Sequence, residues 1–416
     1  IQRVLYGYNY RGKINHQKTY FNETPQTITD ITLVESAVIE YPAYSTQGLP
    51  LHQSVDVDND GNLELQYFYQ YDALSRLRAI KVLDNNGISD NATTIVQYAY
   101  DDVEGVLNTR IHEVSKPLTQ TTYSYDERVR LKSIITKNAT VDSSSPELMK
   151  HQYHYDMQVP TYENPIQTHV PGFGFNHNGN INGIISSYDF EGVYGSPPSQ
   201  FAHPTVYGYK YDRLNRLVHA DGLVGDFVVA AIAVGQQAAG TLIGNEYYNY
   251  DKIGNIKYMD RTIRHSDPLD NTVVSKAEGW GYYYNSQNRL TQVMGNPGTA
   301  SRGYTYDKNG NLLTDSYREI TEMQYGRTAY PYYLEADNNK IAYLYSVDDQ
   351  RMYKKVESPT ETTTEFYLQD AMGKTVALRR KVGSAAATWE YYVNGSEREA
   401  RIKNVTHNGI IAPQEI

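Results

Sequence analysis

Alternation at every second position is the dominant pattern of this chain. Tyr69-Gln70-Tyr71, Tyr123-Ser124-Tyr125, Tyr209-Lys210-Tyr211, Tyr248-Asn249-Tyr250 and Tyr304-Thr305-Tyr306 each pair two aromatic rings around one intervening residue. A period of two puts both rings on one face of a β-strand, where aromatic side chains pack well across to neighbouring strands. Each triplet is followed at once by an aspartate: Asp72, Asp126, Asp212, Asp251 and Asp307. A short acidic side chain there opens a turn by accepting backbone N–H bonds. Four residues beyond each aspartate stands Arg or Asn, followed by Leu or Ile: Arg76-Leu77, Arg130-Leu131, Arg216-Leu217, Asn255-Ile256 and Asn311-Leu312. Gly254 and Gly310, just before the asparagines, supply the positive φ of a tight hairpin. The unit therefore reads as strand, tight turn, strand, with the leucine of the return strand facing the tyrosines.

Further copies extend the array. Tyr282-Tyr283-Tyr284 carries Asn285 in the aspartate position and Arg289-Leu290 on schedule. Tyr98-Ala99-Tyr100-Asp101, Tyr153-His154-Tyr155-Asp156 and Tyr343-Leu344-Tyr345 are weaker copies, and Phe173-Gly174-Phe175-Asn176 with Asn180-Ile181 is a degenerate one. Tyr8-Asn9-Tyr10 and the stretch from Tyr367 to Val376 read as eroded edges. The irregular spacing of roughly 20–40 residues lies in the range of arrays and solenoids. The expected fold class is all-β, built of repeated antiparallel hairpins in one region spanning 1–416, with the clearest repeats over 67–320. The Ser-rich segment from Val141 to Pro146 and the proline-punctuated segments 159–172 and 195–204 read as long hairpin connections, since repeats resume on both sides. The apolar insertion 223–244 reads as a locally buried loop in preference to a membrane-active segment, and its content leaves a short helix or plug open.

Composition sharpens this picture. The 416 residues include 41 tyrosines against 8 phenylalanines and 2 tryptophans. A ring with a hydroxyl suits a wall that has one packed side and one wet side better than a deep core. A net charge of −10 excludes a mainly electrostatic nucleic-acid binder, and no lysine- or arginine-rich run suits an anionic membrane surface. With no cysteine, disulfide frameworks, zinc–thiolate sites, iron–sulfur clusters and thiol nucleophiles are all excluded. No apolar stretch reaches the length of a bilayer span. The opening Ile1-Gln2-Arg3 lacks both methionine and a leader pattern, which suggests an excised fragment or a processed product.

The Tyr-x-Tyr-Asp copies with their trailing Arg/Asn-Leu/Ile resemble the tyrosine–aspartate (YD) repeats of the rearrangement-hotspot (Rhs) family, whose relatives include the C components of Tc toxins and the extracellular region of teneurins. The resemblance runs from about Tyr8 to about Val393. It implies a spiralling single-layer sheet that forms a hollow β-shell or part of one. In toxin relatives such a shell encloses an effector segment; in teneurins it serves adhesion. Toxin-type members close the shell near an Asp-Pro motif followed by Gly-Leu, at an aspartate-assisted self-cleavage site. The single Asp-Pro here, Asp267-Pro268-Leu269-Asp270, is mid-chain and lacks Gly-Leu, so self-cleavage is assigned to no residue.

Other chemistry was sought and found thin. Asp56-Val57-Asp58-Asn59-Asp60-Gly61 matches the opening of a calcium loop, but the bidentate acid expected at position twelve is Tyr67, which favours an Asx-rich turn. Met372-Gly373-Lys374-Thr375 mimics the end of a phosphate loop, but the first glycine of that motif is replaced by Leu368, so it reads as a repeat turn. His151 and His154 project to opposite strand faces, and the adjacent carboxylates Asp101-Asp102 and Asp348-Asp349 point apart. No Gly-x-Ser-x-Gly or His-Glu-x-x-His motif occurs. The sequence thus predicts no catalytic, cofactor or metal residues. It points to a structural protein that encapsulates a toxin or effector polypeptide, with that polypeptide or other shell segments as partners and a secreted or bacterial cell-surface location. The competing reading is a surface module for adhesion or glycan binding, because exposed aromatic rows stack on sugar faces.

Overall fold

The computed structural model describes residues 2–21, 35–83, 91–112, 119–138, 147–155, 179–188, 205–224, 241–266, 273–295, 301–326, 329–346, 348–395 and 398–403. They form 28 strands, with no α-helix among the described residues. The fold is all-β and antiparallel. Each ladder joins strands that are neighbours in sequence, as when Leu65–Tyr71 pairs with Leu77–Leu83, Thr205–Tyr211 with Leu217–Val224, and Thr241–Tyr250 with Ile256–Ser266. Hairpin pairing between neighbours follows from the turn chemistry, which returns the chain beside itself within a few residues.

Register repeats along with sequence. Tyr71 lies opposite Leu77, Tyr211 opposite Leu217, and Tyr250 opposite Ile256. In each hairpin the register shifts just before that second tyrosine, between Gln70 and Tyr71, Lys210 and Tyr211, and Asn249 and Tyr250. The shift is a bulge beside the turn, a device that strengthens local twist and fixes the register of the strands it joins.

The chain divides into two compact units. The first comprises Ile1–Ala99, Arg110–Leu118 and Tyr306–Ile416; the second comprises Tyr100–Thr109 and Thr119–Thr305. In the first unit a dense core surrounds Ile39, Val55, Leu65, Ile80, Ile95, Val96, Val393 and Ile402, all at most 1% exposed. Strands from its early and late segments meet there. Gln17 Nε2 donates to the Gln369 carbonyl at 2.6 Å, and the Ala371 N–H donates to the Tyr41 hydroxyl at 2.9 Å. Glu399, 1% exposed, lies 3.1 Å from His112 and 3.6 Å from Arg110. The second unit buries far less: among its described residues the apolar core is Ala220, Trp280 and Val293.

Several sequence features fall outside the described residues: the Asp267-Pro268 motif, the connections 141–146, 159–172 and 195–204, the Phe173–Asn176 copy, and residues 225–240 of the apolar insertion. The flanks of that insertion lie in strands Leu217–Val224 and Thr241–Tyr250. Among the described residues, no helix is long and apolar enough to cross a membrane.

Candidate functional site: turns that clasp successive hairpins

Each signature aspartate stands one residue past the end of a strand, and the Leu or Ile of the signature opens the next strand. The intervening turn has one geometry. Asp72 N–H donates to the Arg76 carbonyl, Ser75 N–H donates to the Asp72 carbonyl, and Ser75 takes φ 64°. The carboxylate completes the loop. Asp72 Oδ1 accepts the N–H groups of Leu74 and Arg76, both at 2.9 Å, while Oδ2 accepts Arg76 Nε at 2.6 Å. Asp126 with Arg130 and Asp212 with Arg216 repeat every one of these contacts. With asparagine in the arginine position, Asn255 and Asn311 send both backbone N–H and side-chain amide to Asp251 and Asp307. The spacing of four has a direct cause. It places one residue where its backbone and its side chain both reach the same carboxylate.

These turns hold their carboxylates below the usual range. Backbone and side-chain donation from Arg76 lowers Asp72, and the Arg216 side chain lowers Asp212. At Asp126, Asp251 and Asp307 burial pushes upward, but the donors of the turn together outweigh it. The same turn appears beyond the five Tyr-x-Tyr-Asp copies. Asn9, Ser45, Asn285, Ser346 and Asp370 each bond the residue four positions on, and Gly12, Gly48, Asn288, Asp349 and Gly373 take the positive φ. Asp370 to Lys374 is the segment that mimicked a phosphate loop, and its glycine at φ 79° serves the turn. Asp101 makes a version one residue longer, bonding Val106.

The two tyrosines of each unit differ in role. The first bonds a side chain: Tyr69 donates to Gln53 Oε1 on the adjacent strand at 2.9 Å and Tyr248 to Glu246 Oε2 on its own strand at 2.6 Å. Burial pushes the Tyr209 phenol up to about 12. The second tyrosine reaches back to the preceding hairpin. Tyr155 donates to the Leu131 carbonyl at 2.9 Å, Tyr211 to Ile181 at 2.8 Å, Tyr250 to Leu217 at 2.6 Å and Tyr284 to Ile256 at 3.0 Å. Tyr125 does the same to Leu107 at 2.9 Å, and Tyr44 to Ile14. Leu131, Leu217, Ile256, Leu107 and Ile14 each open the preceding return strand, and Ile181 lies two residues before the strand Gly183–Tyr188. The preceding arginine joins in: Arg130 lies 4.4 Å over the Tyr155 ring, and Arg216 lies 4.6 Å over the Tyr250 ring. Asp, Arg, Leu and the next Tyr thus form one clasp between consecutive hairpins. Tyr123 lies opposite Ile134 in its ladder, and Tyr304 and Tyr306 share the strand Arg302–Tyr306.

The inter-hairpin half of the clasp was not visible in the sequence, because its acceptor is a backbone carbonyl common to every residue. Two other polar groupings stand apart from it, both in the first unit. A recess of about 280 Å³ is lined by Tyr6, Gln17, Thr19, Asp348 and Asp370, among others. Asp56, Asp58 and Glu64 also bring carboxylate oxygens within 4.8 Å of one another; burial, with Asp58 and Asp56 adding to it, pushes Glu64 up to about 7. His151 bonds Ser186 at 2.7 Å, an ordinary strand-to-strand contact.

An all-β array of hairpins, clasped repeat to repeat by tyrosine and aspartate, defines a YD-repeat wall. Residues 232–348 match the family model of the teneurin YD-shell. The fold is similar to that of a chain in the crystal structure of TcdB2-TccC3-Cdc42, with a TM-score of 0.57 and 16% identity, covering 98% of this chain and 18% of that one. A chain of the Photorhabdus luminescens Tc holotoxin pore is 12% identical over 96% of this chain and 23% of its own length, with a TM-score of 0.29. The search of curated proteins finds no match. The family model ties residues 232–348 to the teneurin YD-shell, and the structural likeness shows a shared fold over nearly the whole chain.

Proposed function

We propose that this chain is a segment of shell wall that shields a toxin or effector polypeptide, acting outside the cell as a secreted or surface component and without catalysis of its own. The observation that carries this reading is the clasp. It ties each hairpin to the one before through backbone acceptors, so the wall is held by its repeat turns and makes little use of a central core in the second unit. A thin wall of this kind leaves a hydrated face of half-exposed tyrosines. Such a face binds an enclosed chain weakly and discourages its collapse. The family match and the TcdB2-TccC3-Cdc42 likeness support the same reading. The chain spans 18% of that toxin chain, and shielding is therefore proposed for the shell to which it contributes.

Limited proteolysis tests the proposal. An unfolded reporter polypeptide is fused after Ile416, and its cleavage is timed against the same reporter free in solution. Shielding predicts slower cleavage, restored to the free rate when the clasps are broken by Arg130→Ala and Arg216→Ala together. Equal cleavage rates in the fused and free forms would overturn it.

A further inference from the structure

The loop joining strands Pro50–Asp56 and Leu65–Tyr71 lies outside the clasp scheme. Its acids alternate as Asp56, Asp58 and Asp60, and Gly61 follows at φ 88°. Calcium loops place oxygen ligands at positions one, three and five, a glycine at six, a backbone carbonyl at seven and a further ligand at nine. Counted from Asp56, position seven is Asn62 and position nine is Glu64. The acid absent at position twelve is therefore not the only candidate to close such a loop. The hairpin turns the chain back early enough for position nine to face positions one and three.

The geometry agrees with that count. The carboxylate oxygens of Asp56, Asp58 and Glu64 lie within 4.8 Å of one another, the spacing of ligands around one ion at calcium–oxygen distances of about 2.3–2.6 Å. A second observation is independent of this clustering. Asp56 is only 6% exposed; its Oδ2 accepts the Gly61 N–H at 3.0 Å, while its buried Oδ1 has no hydrogen-bond partner. A buried carboxylate oxygen left without a donor is costly, so it calls for a partner. Glu64, also 6% exposed, is oriented by the Val57 N–H at 2.7 Å on Oε2. None of the three is ion-paired with a lysine or arginine among the described residues. Asp60 is turned to the Asn62 backbone and side chain, where it shapes the loop.

We propose that Asp56, Asp58 and Glu64 hold a calcium ion in this hairpin loop. An all-oxygen donor set selects a hard cation. Flexible carboxylates with a loop carbonyl suit calcium better than magnesium, which demands near-ideal octahedral geometry and retains its waters. The ion would neutralise three converging carboxylates and fasten the loop to the core strands on either side, where Val55 and Leu65 are fully buried.

The experiment is calcium titration of the full chain by calorimetry, with thermal unfolding in calcium, in magnesium and in chelator. The expected result is saturable binding of one ion per chain, a rise of Tm in calcium and a smaller one in magnesium. Asp58→Asn, at an exposed position, should weaken calcium binding at least about tenfold, since ligand charge tunes affinity in such loops. Asp337→Asn, at an exposed position outside the signature turns and the acidic loop, should leave binding unchanged. Absence of saturable binding up to ~1 mM calcium, the weak end for extracellular modules, would overturn the proposal. So would equal weakening by Asp337→Asn, which would mark the binding as diffuse charge. Should Asp58→Asn fail to fold, the wild-type comparison of calcium with chelator decides alone: an unchanged Tm overturns the site.

Discussion

The two units use tyrosine in opposite ways. In the first, Tyr67 is 1% exposed, Tyr41 and Tyr391 are 3% exposed, and their rings fill a core shared with isoleucine, valine and leucine. In the second, the tyrosines of Tyr155, Tyr211 and Tyr250 stay half-buried, and what matters is the hydroxyl on the preceding hairpin's carbonyl. Apolar burial is non-directional and sums over area, whereas each clasp is a directed set of hydrogen bonds with a fixed partner. Tyrosine therefore serves two kinds of stabilisation. Where strands from distant parts of the chain cover a sheet face, the ring carries the energy; where they do not, the hydroxyl, the aspartate and the arginine carry it.

The largest test of this contrast is truncation of one leucine in each unit. Leu65 is fully buried in the first unit, whereas Leu217 of the second is half-buried. Leu65→Ala should cost ~2–5 kcal/mol, the range for well-packed core leucines, and Leu217→Ala less than half as much. Hydrogen exchange read separately in each unit checks this, because local stabilities differ across a structure. Equal losses would dissolve the distinction between the units.

Acidification should next separate the signature turns from the Asp370 turn, because it acts on every signature carboxylate at once. Arg216 holds Asp212 below its ordinary 3.8, and at Asp126 and Asp251 the donors of the turn together outweigh burial to the same end. A carboxylate with a lowered folded pKa contributes stability above 3.8 that is lost as pH falls through the lower folded value. Asp370, in the first unit, is displaced the other way by burial, only partly offset by the N–H groups of Lys374 and Met372. Its folded form holds a proton more tightly, so its contribution is present below 3.8 and fades as pH rises through the raised value. Between about pH 5 and about pH 3, protection at the signature turns should fall while that around Asp370 holds or gains. Parallel loss in both regions would count against this assignment.

The clasp itself is probed more finely by Tyr250→Phe, which removes one hydroxyl and keeps the ring. The expected loss is ~0.5–1.5 kcal/mol, the net value of a hydrogen bond. A double-mutant cycle with Arg216→Ala should then report coupling, because the guanidinium sits over the same ring. Strict additivity would show that arginine and tyrosine act separately, and the clasp would reduce to its turn.

How much of this was legible in the sequence depended on range. The turn was, since Asp72 and Arg76 are four residues apart and their types state the chemistry; so was antiparallel pairing between neighbours. The Ser45 turn was missed because a lone hydroxyl replaces the carboxylate, while Gly48 still marked the positive φ. The meeting of Gln17 with Gln369 had no local signal, as those residues are 352 positions apart. The calcium loop was tested at position twelve, whereas the strand that starts at Leu65 brings position nine into reach.

The smallest predicted effect tests the turn against its own sequence. The positive-φ position is Gly in the turns of Asp251, Asp307 and Asp370, but in the Asp126 turn it is Val129, at φ 61°. A β-branched side chain is the poorest choice for left-handed backbone, where a Cβ costs ~1–2 kcal/mol. Val129 is exposed, so its replacement removes little packing. Val129→Gly should relieve that cost and lose ~0.5–1 kcal/mol of it to the greater freedom of glycine in the unfolded chain. The net expectation is a gain of about 0.5–1 kcal/mol confined to the hairpin of Thr119–Tyr125 and Leu131–Asn138, read as slower exchange of its amides. The same change at Gly254 in reverse, Gly254→Val, should destabilise its hairpin by a similar amount. If neither substitution moves its hairpin, the recurring positive φ is incidental to the fold, and the aspartate with its fourth-residue partner sets the turn unaided.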